Sequence, residues 1–475
     1  MMKRIQVFLS VIILSVNVFS LPCVLADEIQ EQANIDRGDR AEIDGIDEPA
    51  TIAEADDVLT TGSELAVQSM VSSYHGEDAE QFKDQSYWFV VNYDNTTATI
   101  VGHDTTDNNL NIPATVASTN GTFTVTAIED YAFNGQEITG AFSLPDTLEC
   151  IGEGAFSSCS NITGELIIPD SVRYIGTDAF SYCRNLSGRL KLPTNKDLYV
   201  LNNGIFSGCS RLTGELIIPD TIHSIGEDTF SGCSGFTGDL YIPNNVYQIG
   251  SYAFEGCTGF SKLTIEDVNT IHTYYSTLTI GDRAFMNCTG FAGELSLPFR
   301  ASKIGDYAFA NCTGFTGLNL VYTIVENSRR HGRPKSIGKY AFEYCTGFTG
   351  DLDLYYQFTK IGDRAFYMCS GFDGELKLRN VTDMGREVFR YCSGFKKVTN
   401  YSSWKLDLRE LNQNITWVNQ QTGKEITELF SGTAIWKSLW DSNNEIVLFK
   451  NYSIYRKPSR TIMVGSDEYT IRQRG

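Results

Sequence analysis

A repeat solenoid with one short parallel strand and one short helical turn per coil is the fold class this sequence predicts, and three observations predict it. Eleven phenylalanines, Phe133, Phe156, Phe180, Phe206, Phe230, Phe254, Phe285, Phe309, Phe342, Phe366 and Phe389, follow one another at steps of 23 or 24 residues, with one of 26 and two long ones of 31 and 33. All but Phe133 are followed three residues later by cysteine. Between them recur alternating aliphatic pairs such as Leu166 with Ile168, Leu216 with Ile218 and Leu240 with Ile242. A period in the twenties is too long for hexapeptide coils and too short for two-helix repeats. Repetition also lets the 475 residues grow by adding turns, in place of the roughly three domains that their length would otherwise imply.

Taken in order, residues 1–26 read as a secretory signal peptide. MMKR supplies positive charge, Ile5 to Leu21 is largely apolar, and Val24-Leu25-Ala26 offers the small residues of a cleavage site before Asp27. No later run of about 18 apolar residues appears, so no transmembrane segment is expected after signal cleavage. Residues 27–84 carry 17 Asp and Glu against three Arg and Lys, a composition that cannot bury enough apolar surface to order itself; they are read as an acidic disordered leader. The net charge of −20 argues against nucleic acid, whose phosphates need clustered Lys and Arg. Residues 85–127, with the strand-like YWFVVNY and TATIVGH around Asp94-Asn95, are expected to cap the amino-terminal core face. The solenoid of 11 units spans 128–400, and 401–475 form a carboxy-terminal cap or small β-rich module.

Within a unit, the aliphatic pair alternates inward on a strand, and Pro169, Pro193, Pro219, Pro243 or Pro298 ends it because proline has no ladder donor. An Ile-Gly step follows, as at Ile249-Gly250, with glycine expected to take positive φ at a corner. The D-x-A-F-x-x-C stretch is then expected to form the helical turn, with Ala, Phe and Cys inward.

These residues carry a resemblance. IGEDTFSGCSGFTGDLYIPNNV and IGDYAFANCTGFTGLNL look like leucine-rich repeats of the BspA-like class, and the segment from Tyr87 to Val116 is similar to what commonly precedes them. The likeness covers about residues 87–400, departs locally at Leu201-Asn202 and Met384, and is specific for fold more than for function. It implies a right-handed solenoid and adhesion to host matrix proteins, other cells or mucosal surfaces.

The ladder cysteines, Cys159, Cys183, Cys209, Cys233, Cys257, Cys288, Cys312, Cys345, Cys369 and Cys392, are assigned as reduced, buried packing residues. Stacked side chains would hold their Cβ atoms at about 4.8 Å, where a relaxed disulfide wants about 3.8 Å. A linear column also cannot converge on one metal. Removal of Cys23 with the signal leaves eleven of the twelve cysteines, and the extra one is Cys150. It falls where other units place Tyr174, Ser224, Gln248 or Lys303, so it is expected to be exposed and open to modification or covalent dimerisation.

Chemistry is sparse. His75, His103, His223, His272 and His331 show no metal-binding spacing, and no nucleophile elbow or phosphate loop appears, so neither an enzyme nor a cofactor is predicted. The residue before each strand's first inward position, running Glu165, Arg189, Glu215, Asp239, Lys262, Glu294 and on to Glu375 and Lys397, forms a partly compensated charged face. The two long units become projecting loops. One holds Tyr274 and Tyr275, able to stack on sugars or apolar surface. The other holds Arg329, Arg330, Arg333 and Lys335, a basic finger suited to acidic glycans. The function expected is that of a secreted or cell-surface, nonenzymatic recognition protein with an extracellular protein or glycan ligand. The rivals are polysaccharide capture for a degradative system, and an enzyme whose site lies in 401–475.

Overall fold

The computed structural model describes residues 74–75, 79–104, 109–267, 277–320, 335–354, 358–379 and 381–400, together with short strands between 406 and 471. Each coil has three sides. The first carries the aliphatic pair: Ile162–Ile167 pairs in parallel with Leu186–Lys191, Gly238–Ile242 with Phe260–Ile265, Gly293–Ser296 with Phe315–Asn319, and Leu352–Leu354 with Glu375–Leu378 and then Lys397–Asn400. The second carries a further strand at the Ile-Gly step that the sequence reading did not foresee. From Val200–Leu201 to Asp383–Met384 these strands form one eight-stranded parallel ladder. Leu201, Ile225, Ile249, Ile280, Ile304, Ile337, Ile361 and Met384 follow one another in register, so the two departures from isoleucine keep their place in the aliphatic column.

The third side is not helical: no helix occurs among the described residues. D-x-A-F-x-x-C forms a string of tight turns whose amides alternate in direction. Those of Ala155, Ser157 and Cys159 stay in the coil, on the carbonyls of Gly152, Gly154 and Phe156 at 3.3, 2.9 and 3.1 Å. Those of Gly154, Phe156 and Ser158 cross to the carbonyls of Thr177, Ala179 and Ser181 of the next coil at 2.8, 2.7 and 2.7 Å. A helical turn would spend these amides within the coil and leave the neighbour's buried carbonyls unpaired. The alternation puts two residues per unit in the left-handed region, two before and two after the phenylalanine, as at Gly154 and Ser158 (φ 54° and 62°).

The glycine of the Ile-Gly step is a second correction. Gly152, Gly176, Gly226 and Gly250 do not adopt positive φ. A Cβ on Gly250 would instead fall 2.5 Å from Glu227 N and from Gly226 C, so it is the close approach of the preceding coil that demands glycine.

All eleven phenylalanine rings are fully buried and stack on one another at 4.9–5.9 Å between centroids and 1–16° between planes. A second column, Phe236, Phe260, Phe291, Phe315, Phe348, Phe372 and Phe395, runs beside it at 5.3–6.3 Å. The cysteines do more than fill space. In all ten ladder positions Sγ lies 2.9–3.1 Å from the carbonyl oxygen of the preceding unit's phenylalanine, from Cys159 on Phe133 to Cys392 on Phe366. The S–H donates, weakly, and so must keep its proton. Burial helps: it pushes Cys159, Cys209 and Cys312 up to about 12 and Cys183, Cys233, Cys288, Cys345 and Cys369 well above the ordinary thiol range.

Cys150 is not exposed. It opens the strand Cys150–Ile151 at 2 % exposure, packed with Ala127 between Tyr74 and Tyr174. Its counterparts elsewhere lack such a cover; here Tyr74 is held in place by its carbonyl, which accepts from Tyr93 N at 2.9 Å, and by the His75–Glu129 pair at 2.6 Å. A buried thiol offers nothing to a modifying reagent or a second chain.

At the amino-terminal end the cap begins inside the segment expected to be a disordered leader: Gln81–Asp84, Tyr87–Val91 and Thr97–His103 pair antiparallel, and Gly121–Ile128 joins the last of them in parallel. Gly121–Ile128 then pairs with Cys150–Ile151, so this sheet runs on into the second side. At the other end Lys397–Asn400 is covered by the antiparallel Thr433–Trp436. No helix among the described residues is long and apolar enough to cross a membrane.

Candidate ligand-binding face

The described histidines do not converge. His75 pairs with Glu129, His103 lies buried beside the rings of Tyr87 and Phe133, and His223 lies between Tyr199 and Tyr247, where burial pushes its pKa down. His272 and His331 lie outside the described residues. Among the described residues no three His, Cys, Asp or Glu side chains gather as metal ligands.

The strand face of the first side carries one set of exposed apolar side chains. Alternation turns Ile167, Ile217 and Tyr241 outward, 39, 65 and 43 % exposed, with Lys191 in register with Ile167 and Ile217 bridged to Tyr241. At the amino-terminal end of this row opens a groove of about 610 Å³, lined by Phe142, Leu144, Ile167 and Pro169 and bordered by Asp146, Glu165, Asp170 and Lys191. Part of its rim is already engaged. Thr194 N donates to Asp170 at 2.9 Å and Lys191 Nζ at 2.9 Å, and these bonds, the backbone one foremost, hold the Asp170 carboxyl below its usual range. The apolar floor has no such partner within the groove.

Towards the other end the same face becomes a lattice of ion pairs. Arg379 binds both oxygens of Asp353 at 2.7 Å, Lys377 reaches Asp351 at 2.9 Å and Lys397 reaches Glu375 at 3.2 Å. In the column before the inward leucines, Arg189 sits 3.6 Å from Glu165 and Lys262 is in register with Asp239, so the acidic residues there are partly compensated. An exposed pair of this kind contributes about 0–1 kcal/mol and leaves little charge to offer a ligand.

Of the loop residues picked out in the sequence, Tyr274, Tyr275, Arg329, Arg330 and Arg333 lie outside the described residues. Lys335 does not belong to a projecting finger. It opens the strand Lys335–Ile337 at 7 % exposure, donates to Phe299 O at 2.6 Å, and sits 5.0 and 5.6 Å from the ring centroids of Phe299 and Phe358. Burial pushes its pKa down to about 8. Arg300, equally buried, donates to the carbonyls of Glu266, Pro243 and Val246, so both cations fasten coils together. The exposed apolar row was missed, although Ile167, Ile217 and Tyr241 stand at positions where alternation calls for polar residues.

A family model described as BspA type leucine-rich repeat region matches in six copies over residues 126–260, 200–278, 266–330 and 330–415, which together exceed half the chain. Among solved structures, a leucine-rich-repeat protein from Bacteroides ovatus is 22% identical, with 67% of this chain and 94% of that one covered and a TM-score of 0.39. A leucine rich cell surface protein from Faecalibacterium prausnitzii is 20% identical, covering 66% and 96%, at a TM-score of 0.37. The pneumococcal vaccine antigen PcpA is 16% identical, covering 68% and 81%, at 0.36. Comparison with curated proteins finds no match.

Proposed function

The chain belongs to the BspA-type leucine-rich-repeat family, and from that premise we propose that it is a nonenzymatic recognition protein, secreted or held at the cell surface, whose strand face docks an extracellular protein. The observation that carries the reading is the row of exposed Ile167, Ile217 and Tyr241, interrupted by Lys191 between the first two, beside an apolar groove. An exposed apolar patch rimmed by polar groups is the usual mark of a protein-binding surface. Adhesion to matrix proteins or other cells is the use that fits.

The test is binding of the chain from Asp27 onwards to an array of extracellular-matrix proteins. Ile217→Asp changes a side chain that is 65 % exposed, so the fold is retained, and binding should weaken by about tenfold or more. Replacing Arg329, Arg330 and Arg333 with serine should leave it unchanged. The opposite pattern, a silent Ile217→Asp and a damaging arginine variant, moves the contact to the long loop; binding of polysaccharide with no matrix protein favours the capture reading.

A further inference from the structure

The third side carries tyrosines where its own backbone is best served by glycine. Two residues after the phenylalanine, the chain is in the left-handed region in every unit, and four units place glycine there: Gly135, Gly208, Gly232 and Gly256. The same position is tyrosine in three units, Tyr182 at φ 57° and, near the carboxy-terminal end, Tyr344 and Tyr391 at φ 58° and 65°. A bulky residue in this region is a backbone outlier. Backbone conformation alone does not single out Tyr344 and Tyr391, since Tyr182 and Met368 share the position; what does is that the two rings stand on either side of a third tyrosine. Both rings face solvent, 40 and 37 % exposed.

The coil between them contributes Tyr367, edge-on to both rings, at 6.1 Å and 72° from Tyr344 and at 5.3 Å and 84° from Tyr391. Two guanidinium groups complete the strip, Arg364 5.3 Å from the Tyr367 ring and Arg390 5.0 Å from that of Tyr391. Both are bound by Glu387, Arg364 Nε donating to one oxygen at 2.6 Å and Arg390 to the other. The result spans three coils, about 10 Å at the spacing of stacked strands. It is aromatic along its length, bordered by hydrogen-bonding groups, and its cations are already engaged by a carboxylate.

We propose that this strip is a platform for a neutral polysaccharide, lying on a different side of the solenoid from the strand face. A sugar ring presents an apolar C–H face to an aromatic ring and a rim of hydroxyls to polar neighbours, which is the division of labour found here. Tyr344 and Tyr391, two coils apart, receive alternate sugars of an extended chain, and the Tyr367 edge spaces them. An acidic polymer does not fit: the chain carries −20, and the two arginines here share Glu387.

Calorimetric titration of the chain with cellohexaose, mannohexaose, laminarihexaose and maltohexaose tests this, with a heparin hexasaccharide as the charged comparison. At least one neutral hexaose should bind, and the double variant Tyr344→Gly with Tyr391→Gly should weaken it by about tenfold or more. Because glycine suits the left-handed backbone, that variant should melt no lower than the parent. Ile217→Asp should leave sugar binding unchanged, which separates this strip from the strand face. Binding of no neutral hexaose, tighter binding of the heparin fragment, or undiminished binding by the glycine variant overturns the proposal. So does a lowered melting temperature in that variant, which would make the rings structural.

Discussion

Raising the pH from 8 to 10.5 should unfold the solenoid. In the unfolded chain a thiol ionises near pH 8.5, whereas burial pushes Cys159, Cys183, Cys209, Cys233, Cys257, Cys288, Cys312, Cys345 and Cys369 far above that. A group whose native pKa is raised contributes its full stability below the unfolded value and loses it as the pH climbs towards the native one. Each pH unit in that window costs about 1.4 kcal/mol per thiol, so nine of them amount to on the order of 10 kcal/mol per unit, as much as the stability of a whole domain. Lys335 works the other way. Burial pushes it down to about 8, so between that pH and its ordinary value near 10.4 the native chain holds fewer protons than the unfolded one, and stability gains as pH rises. One lysine against nine thiols does not change the outcome. Circular dichroism melts across this range should fall steeply, with thiolate absorbance rising in step with unfolding; flat melting temperatures would contradict the thiol assignment.

Phe254→Ala is expected to cost about 3–5 kcal/mol, the range for emptying a large buried aromatic site. Phe254 stacks on Phe230 at 5.3 Å and 13° and on Phe285 at 5.3 Å and 1°, so its loss removes a contact from two coil interfaces at once. In a solenoid, stability is a sum over neighbouring units, and a broken pair of central interfaces cannot be bypassed through another part of the core. Phe389, which has one neighbour in its column, Phe366 at 5.6 Å, should tolerate the same change better. Urea denaturation of the two variants measures the difference; equal costs would argue against nearest-neighbour stacking.

How much of this was legible depends on what the repeat could average over. Phe and Cys recur so often that stacking followed from spacing alone, and Leu201 and Met384 could deviate without disturbing the register. The turn geometry was hidden because the left-handed positions hold Asp178, Tyr252 or Arg364 as readily as glycine, which dilutes the one residue that would have announced them. Lys335 looked like part of a basic run with Arg333, but its register with Phe358 makes it the first residue of a buried strand. Cys150 was judged by its counterparts, and its cover, Tyr74, comes from outside the repeat. The strand-face row was readable as a break in alternation. The tyrosine strip was not: Tyr367 occupies a different place in its unit from Tyr344 and Tyr391, and the three meet only because the coils are stacked.

In the dry column each ladder thiol, reduced and protonated, donates to the carbonyl beneath it. The most direct measurement of that arrangement is the reaction of the unreduced native protein with a small uncharged thiol reagent, read by intact mass before and after denaturation. The ten ladder cysteines should remain unmodified in the folded chain and all become modified once it is unfolded. Ladder positions that label in the native state, or that stay protected in denaturant because they are bridged to one another, would contradict it.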